Sequence, residues 1–154
     1  MKIGGILETN DLTLYCFTDL KDQPGAAASV LKFFGEKKLN LEYITESTAA
    51  DDTAVMTVCV KSKIVKKIES FLRKNEDISK HLNISKTDNV SVIGIYGPHF
   101  REKPSIAARF CITIGEVGIN ILSLSSSISS ICGVIKSSKV KLAKKVLLKR
   151  FKLP

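Results

Sequence analysis

The segment Asp22-Gln-Pro-Gly-Ala-Ala27 stands directly ahead of a run whose apolar residues recur at helical spacing, Ala27, Val30, Leu31 and Phe34. A helix N-terminus exposes unpaired N–H groups and a partial positive charge, which together favour a carboxylate. Gly25 lets a ligand come close to the backbone, and Pro24 fixes the turn. The α-carboxylate of a free amino acid meets that description. Its ammonium group then needs an acceptor, and Asp22, Glu42 and Glu46 are the carboxylates on the adjoining loop and strand. Each also has a plainer use, Asp22 as a helix N-cap and the two glutamates as strand acids facing solvent.

Other chemistry is sparse. Cys16, Cys59, Cys111 and Cys132 each sit in an apolar stretch, without a Cys-x-x-Cys pair, and neither His81 nor His99 lies near one of them. This predicts reduced, buried thiols and no metal site. There is no Ser/His/Asp set, paired carboxylate site or phosphate loop, so no catalytic residue and no cofactor is expected. The 154 residues are 44% apolar and 25% charged with four prolines, which suits one ordinary domain or two small ones and excludes collagen-like, mucin-like and mainly disordered chains. No apolar run approaches the roughly 18–20 residues of a membrane helix, and Met1 to Asp11 lacks the apolar block of a signal peptide. A soluble, cytoplasmic protein without a membrane partner is expected. The net charge of +9 raises nucleic-acid binding. That charge gathers in Lys61 to Lys67 and Lys136 to Lys152, and its simpler reading is the solvated outer face of two helices, Lys66-Lys67 with Arg73-Lys74 and Lys141 with Lys144-Lys145.

The elements that position the turn are revealed by an internal repeat. Pro24 to Leu41 aligns without a gap on Pro104 to Ile121, at an offset of 80 residues. Pro24/Pro104, Ala27/Ala107, Ala28/Ala108, Gly35/Gly115, Glu36/Glu116 and Asn40/Asn120 are identical. Pro at the head of each copy suits the first helical position. Strand-like runs flank each copy: Leu12 to Phe17 and Val90 to Tyr96 before the helix, then Leu41 to Thr48 with Thr53 to Val60, and Ile121 to Ser127 with Ile131 to Ile135. Asp51-Asp52 and Ser129-Ser130 mark the hairpin turns. Second helices follow, with Ser62 and Ser138 as N-caps and apolar faces of Ile64, Ile68, Phe71, Leu72 and of Val140, Ala143, Val146, Leu147. His81 to Lys86 supplies a fourth strand in the first copy, giving βαββαβ.

The second copy stops after its second helix. Lys2 to Glu8 is a strand-like segment that the first copy does not need, and assigning it to the second copy completes that module. The predicted modules are therefore 11–88 and 89–154 plus 1–9, interleaved, each an antiparallel sheet with helices on one face.

In these residues the whole chain resembles the tandem ACT domains of the C-terminal regulatory region of aspartate kinases. Asp22-Gln-Pro-Gly-Ala-Ala27 is similar to that family's Asp-x-Pro-Gly-x-Ala loop, and Asn40 to Ile44 to its following strand. Val92-Ile-Gly94, Arg101 to Arg109, Gly118-Ile-Asn-Ile121 and the serine-rich strand from Ser125 match in the second copy. Leu147 to Leu153 is similar to the family's closing segment, with Leu148 where His is usual. A kinase half would need about 250 further residues upstream, so the chain is expected to be a regulatory fragment or a separately made regulatory subunit, not an enzyme by itself.

The resemblance implies an amino-acid effector, lysine or threonine, held between modules of partner chains in a homodimer and acting on an aspartate kinase catalytic domain or subunit. One wall would be Asp22, Pro24, Gly25 and Ala26; the other would be Asn120, Ile121 and Ser125. The family's strand Gln and Asn are Glu46 and Ser47 here, an exchange that favours lysine or marks a lost site. Ser105 replaces the second loop's Gly and Ile128 a common Glu, which points to a structural role for that loop. Two alternatives stand: a stand-alone amino-acid sensor for another partner, and a nucleic-acid-binding αβ module, which would need stacking aromatics that no strand supplies in the usual pattern.

Overall fold

The computed structural model describes residues 1–21, 25–76, 80, 82–98 and 100–154. Asp22, Pro24, His81 and His99 lie outside the described residues. The chain divides into two compact units, a contiguous one, Leu12–Asp88, and a split one, Met1–Asp11 with Asn89–Pro154.

The contiguous unit contains the second part of β1 (Gly5–Lys21), α1 (Ala26–Glu36), β2 (Tyr43–Thr48), β3 (Thr53–Lys61), α2 (Val65–Lys74) and the first part of β4 (Asn83–Tyr96). Its strands lie in the order β2-β3-β1-β4. β1 runs antiparallel to β3, with Leu12 opposite Lys61 and Phe17 opposite Met56. β2 is paired on one side only, with Tyr43 opposite Cys59 and Thr48 opposite Ala54. Apolar residues on alternate strand positions, Tyr15 and Phe17 with Met56, Val58 and Val60, meet Val30, Phe33 and Phe34 of α1 and Ile68 of α2 in one core.

The split unit repeats the plan with the first part of β1, the second part of β4, α3 (Ile106–Gly115), β5 (Ser123–Ser126), β6 (Ser130–Lys136) and α4 (Val140–Arg150). The order is β1-β4-β6-β5, with β5 at the edge. Ile93, Ile95, Ile131 and Ile135 from the strands pack on Phe110 and Ile114 of α3 and on Val140, Ala143 and Leu147 of α4. The N-terminal segment is built into this unit. The Ile3 N–H donates to the Lys152 carbonyl at 2.9 Å, Lys152 N–H to the Met1 carbonyl at 2.9 Å, and Gly4 N–H to the Tyr96 carbonyl at 2.6 Å. Ile3 and Phe151 are both buried in the core they close.

Several local expectations change. The strand-like segments on either side of Asp11 and of Asn89 are each parts of one strand, β1 and β4, which run on through these residues although both turn to positive φ (58° and 55°). The helices begin two residues after the repeat's prolines, so Pro104 precedes the N-cap instead of opening the helix, and Gly25 and Ser105 are the N-caps. Ser62 and Ser138 do not cap either second helix. The Ser62 and Ser137 hydroxyls instead meet the buried Thr13 and Ser91 hydroxyls at 3.0 and 2.8 Å, which satisfies two polar groups at the start of each repeat's first strand.

Candidate functional site

In the contiguous unit, Gly25 adopts φ +87° and begins α1. A left-handed residue at the N-cap turns the chain sharply, and glycine does so without the Cβ clash that other residues incur. No heavy atom of the described residues lies within 4 Å of the position where its Cβ would stand. Its carbonyl accepts the first helical bond from the Ser29 N–H at 3.1 Å, and no side chain of the described residues caps the helix. Ala26 is the first helical residue, so its N–H and those of the next two residues precede the intrahelical ladder.

The acids expected to receive an ammonium group lie on and beside β2. Glu42 and Glu46 are exposed, and no cation of the described residues is paired with either. Glu46 stands opposite the buried Met56, on the sheet face whose core receives α1. Ser47 stands opposite Val55 and points to the other face, since strand side chains alternate. The two β2 residues that depart from the aspartate-kinase pattern are thus separated by the sheet plane. Glu42 N–H donates to the Cys59 carbonyl at 2.8 Å, which fixes the backbone at the mouth of the strand.

The split unit holds the other group. Asn120, five residues beyond the end of α3, is exposed, while Ile121 is half-buried against the core. A Cβ on Gly133 would approach Ile121 Cγ2 to 3.2 Å, so the missing side chain there lets Ile121 settle. Ser125 is half-buried on β5, opposite Cys132. The turn from β5 to β6 is closed by serines: Ser127 N–H donates to the Ser130 carbonyl at 2.8 Å, and the two hydroxyls meet at 2.9 Å. It presents Ile128 at 66% exposure.

Ser105 gives an unexpected result. It keeps the left-handed conformation of its counterpart Gly25, with φ +66°, and its carbonyl accepts the Arg109 N–H at 2.9 Å just as Gly25 accepts Ser29. The backbone of the second turn is therefore the same, and the side chain is what differs. A further pair escaped notice: Lys38 at φ +51° and Gly118 at φ +71°, again 80 residues apart, end the two first helices. The glycine in the second copy was the available signal for it.

Among the described residues no three His, Cys, Asp or Glu side chains are grouped to hold a metal ion, and no helix is long and apolar enough to cross a membrane. All four cysteines are free, but only Cys59 is fully buried, so the prediction of four buried thiols holds for that one alone. Burial pushes the Cys59 thiol up to about 12, which keeps it protonated and unreactive.

A family model described as ACT domain matches residues 93–151, which cover α3, the β5–β6 hairpin and α4 of the split unit. The chain is 23% identical over 136 residues to an aspartokinase of Corynebacterium glutamicum, covering 87% of this chain and 32% of that protein. Residues 93–151 thus match the ACT-domain model, and the chain as a whole is similar to aspartokinases. It spans about a third of the length of the aspartokinases it matches in sequence. Against solved structures this chain is matched nearly end to end. The regulatory subunit of aspartate kinase from Thermus thermophilus superposes with a TM-score of 0.85 at 18% identity, over 99% of this chain and 100% of that one. A structure of aspartokinase alpha and beta subunits gives 0.84 at 23% identity, over 96% and 97%. Aspartokinase III of E. coli, in complex with lysine and aspartate, gives 0.71 at 12% identity, over 97% of this chain and 33% of that one. These likenesses show the fold.

Proposed function

We propose that this ACT-domain chain is the amino-acid-sensing regulatory part of an aspartate kinase, and that its effector is lysine or threonine. The observation that carries the reading is the turn at Gly25: a left-handed glycine at the head of α1 with no described heavy atom near its Cβ position, in the same unit as two exposed glutamates, Glu42 just before the edge strand β2 and Glu46 on it, that no cation of the described residues meets. The effector's carboxylate takes the N–H groups of the first turn of α1. Its α-ammonium group pairs with a carboxylate from Glu42, Glu46 or Asp22. A second ammonium on the ligand would use the remaining acid, which favours lysine over threonine. Pro24, Gly25 and Ala26 form one wall, and Asn120, Ile121 and Ser125 from a partner chain form the other. Ser47 lies on the opposite face of β2 and is best read as lining a neighbouring surface of the same dimer.

The second wall supports the homodimer reading, as do β2 and β5, which have strand neighbours on one side only. The effector regulates the kinase only by binding one arrangement of the dimer more tightly than another. Four unpaired cysteines suit a reducing, cytoplasmic setting. Calorimetric titration with lysine, threonine and methionine tests the reading. Binding of lysine or threonine that is lost in Gly25→Val supports it. No heat and no thermal shift with any of the three overturns it for this chain.

A further inference from the structure

The contiguous unit carries a groove of about 700 Å³ between α2 and the last turn of α1. Its floor is apolar. Phe33 and Phe71 stack there with ring centroids 3.9 Å apart and planes 17° from parallel. Its rim is basic: Lys37 from the end of α1, and Lys66, Lys67 and Lys74 from α2. No carboxylate of the described residues is paired with any of these four lysines. The one acid on the rim, Glu36, is met by Lys32 at 3.7 Å, from outside the groove.

The matching place in the split unit is an internal control. There the groove is about 220 Å³, lined by Thr113, Val117 and Val146 where the aromatic floor would be. Its rim has Lys149 and Arg150, and Arg150 faces Glu116 at 3.9 Å. The repeat therefore does not require a large basic groove. Among the described residues, one copy has an aromatic floor ringed by four lysines that no carboxylate meets, and the other does not.

We propose that the α1–α2 groove of the contiguous unit is a docking site for an acidic protein segment that carries a large apolar side chain. Like-charged lysines around one concavity repel each other, and an acidic segment offsets that repulsion while its apolar residue covers the floor. The groove is of a size that holds a few residues. Nucleic acid fits less well, because bases bind by stacking on open aromatic faces. Here Phe33 is buried and stacked on Phe71. This site does not share a residue with the effector site and stands or falls separately.

The test is fluorescence anisotropy with a labelled peptide, Glu-Glu-Asp-Phe-Glu-Glu-Leu-Glu, at about 50 mM salt, where the Debye length of roughly 14 Å leaves surface charge active. The double variant Lys66→Glu/Lys74→Glu is expected to weaken binding at least tenfold. Lys149→Glu, in the counterpart groove, is expected to change it less than twofold. Circular dichroism checks that the exposed substitutions leave the fold intact. Absence of peptide binding overturns the proposal, as does equal loss in both variants. An oligothymidylate of twelve nucleotides that binds more tightly than the peptide, and is lost in the same double variant, also overturns it in favour of a nucleic-acid surface.

Discussion

The two repeats place left-handed residues at the same two positions, yet they distribute glycine in opposite ways. At the helix start the contiguous unit has Gly25 and the split unit Ser105; at the helix end the contiguous unit has Lys38 and the split unit Gly118. Each repeat therefore holds one relaxed turn and one strained turn. The backbone path is imposed by the packing of the helix on its sheet, and the residue is free to vary within what that packing can sustain. Among the described residues no heavy atom stands within 4 Å of a Cβ position at Gly25 or at Gly118, so neither glycine is there to avoid a neighbour; each serves its left-handed turn.

The largest expected effect concerns the anchor that only the split unit possesses. Phe151 is fully buried there, whereas the corresponding position after α2 is the exposed Glu76. Phe151→Ala should cost about 3–5 kcal/mol, the range for a large aromatic deleted from a core. Urea unfolding followed by amide exchange should show protection lost first in Asn89–Pro154 and retained in Leu12–Asp88. Equal loss in both units would break the distinction.

A smaller effect follows from exchanging the turns. Gly25→Ala places a Cβ on a left-handed residue and should destabilise by about 1–2 kcal/mol. Ser105→Gly should stabilise by about 0.5 kcal/mol, the strain relieved less the added freedom of the unfolded chain. Lys38→Gly should behave like Ser105→Gly. Chemical denaturation of the three variants reads the signs directly. A stabilised Gly25→Ala would show that the first turn is not held in its left-handed form.

The smallest effect belongs to the N-terminal part of β1 in the split unit. Hydrogen bonds from Asn10 and then Lys144, both at 2.9 Å, hold the Glu8 carboxyl below its usual range. A lowered native pKa gives stability that is present above the ordinary carboxylate value, about 4.3, and is lost as pH falls through the native value. For so exposed a pair this amounts to about 0.5 kcal/mol. Glu8→Gln should therefore be slightly less stable than the parent at pH 7 and equal to it near pH 2 in parallel urea melts.

Much of this was legible from residue spacing. The 80-residue offset located α1 and α3, because identical apolar positions one turn apart leave little choice of face. The residues around Gly25 announced a helix start. What could not be read were the places where tertiary pairing overrides local preference. Asp11 and Asn89 look like turn residues, but their strands continue through them. Ser62 has the composition of a cap, but a buried threonine hydroxyl 49 residues away needs its oxygen more. Lys66-Lys67 with Arg73-Lys74 read as a solvated helix face, since sequence alone does not show that Phe33 and Phe71 stack and leave a hollow between lysines.

The pairing of Ile3 with Lys152 bears on how the molecule is made. During synthesis Leu12–Asp88 is complete as soon as its last strand has left the ribosome, and can fold while the remainder is still being added. The split unit cannot close until Phe151 and Lys152 arrive, some 150 residues after the strand they must meet, and contacts so distant in the chain form slowly. The contiguous unit therefore folds first, and the already emerged N-terminal segment waits for its partner with Ile3 and part of β1 uncovered.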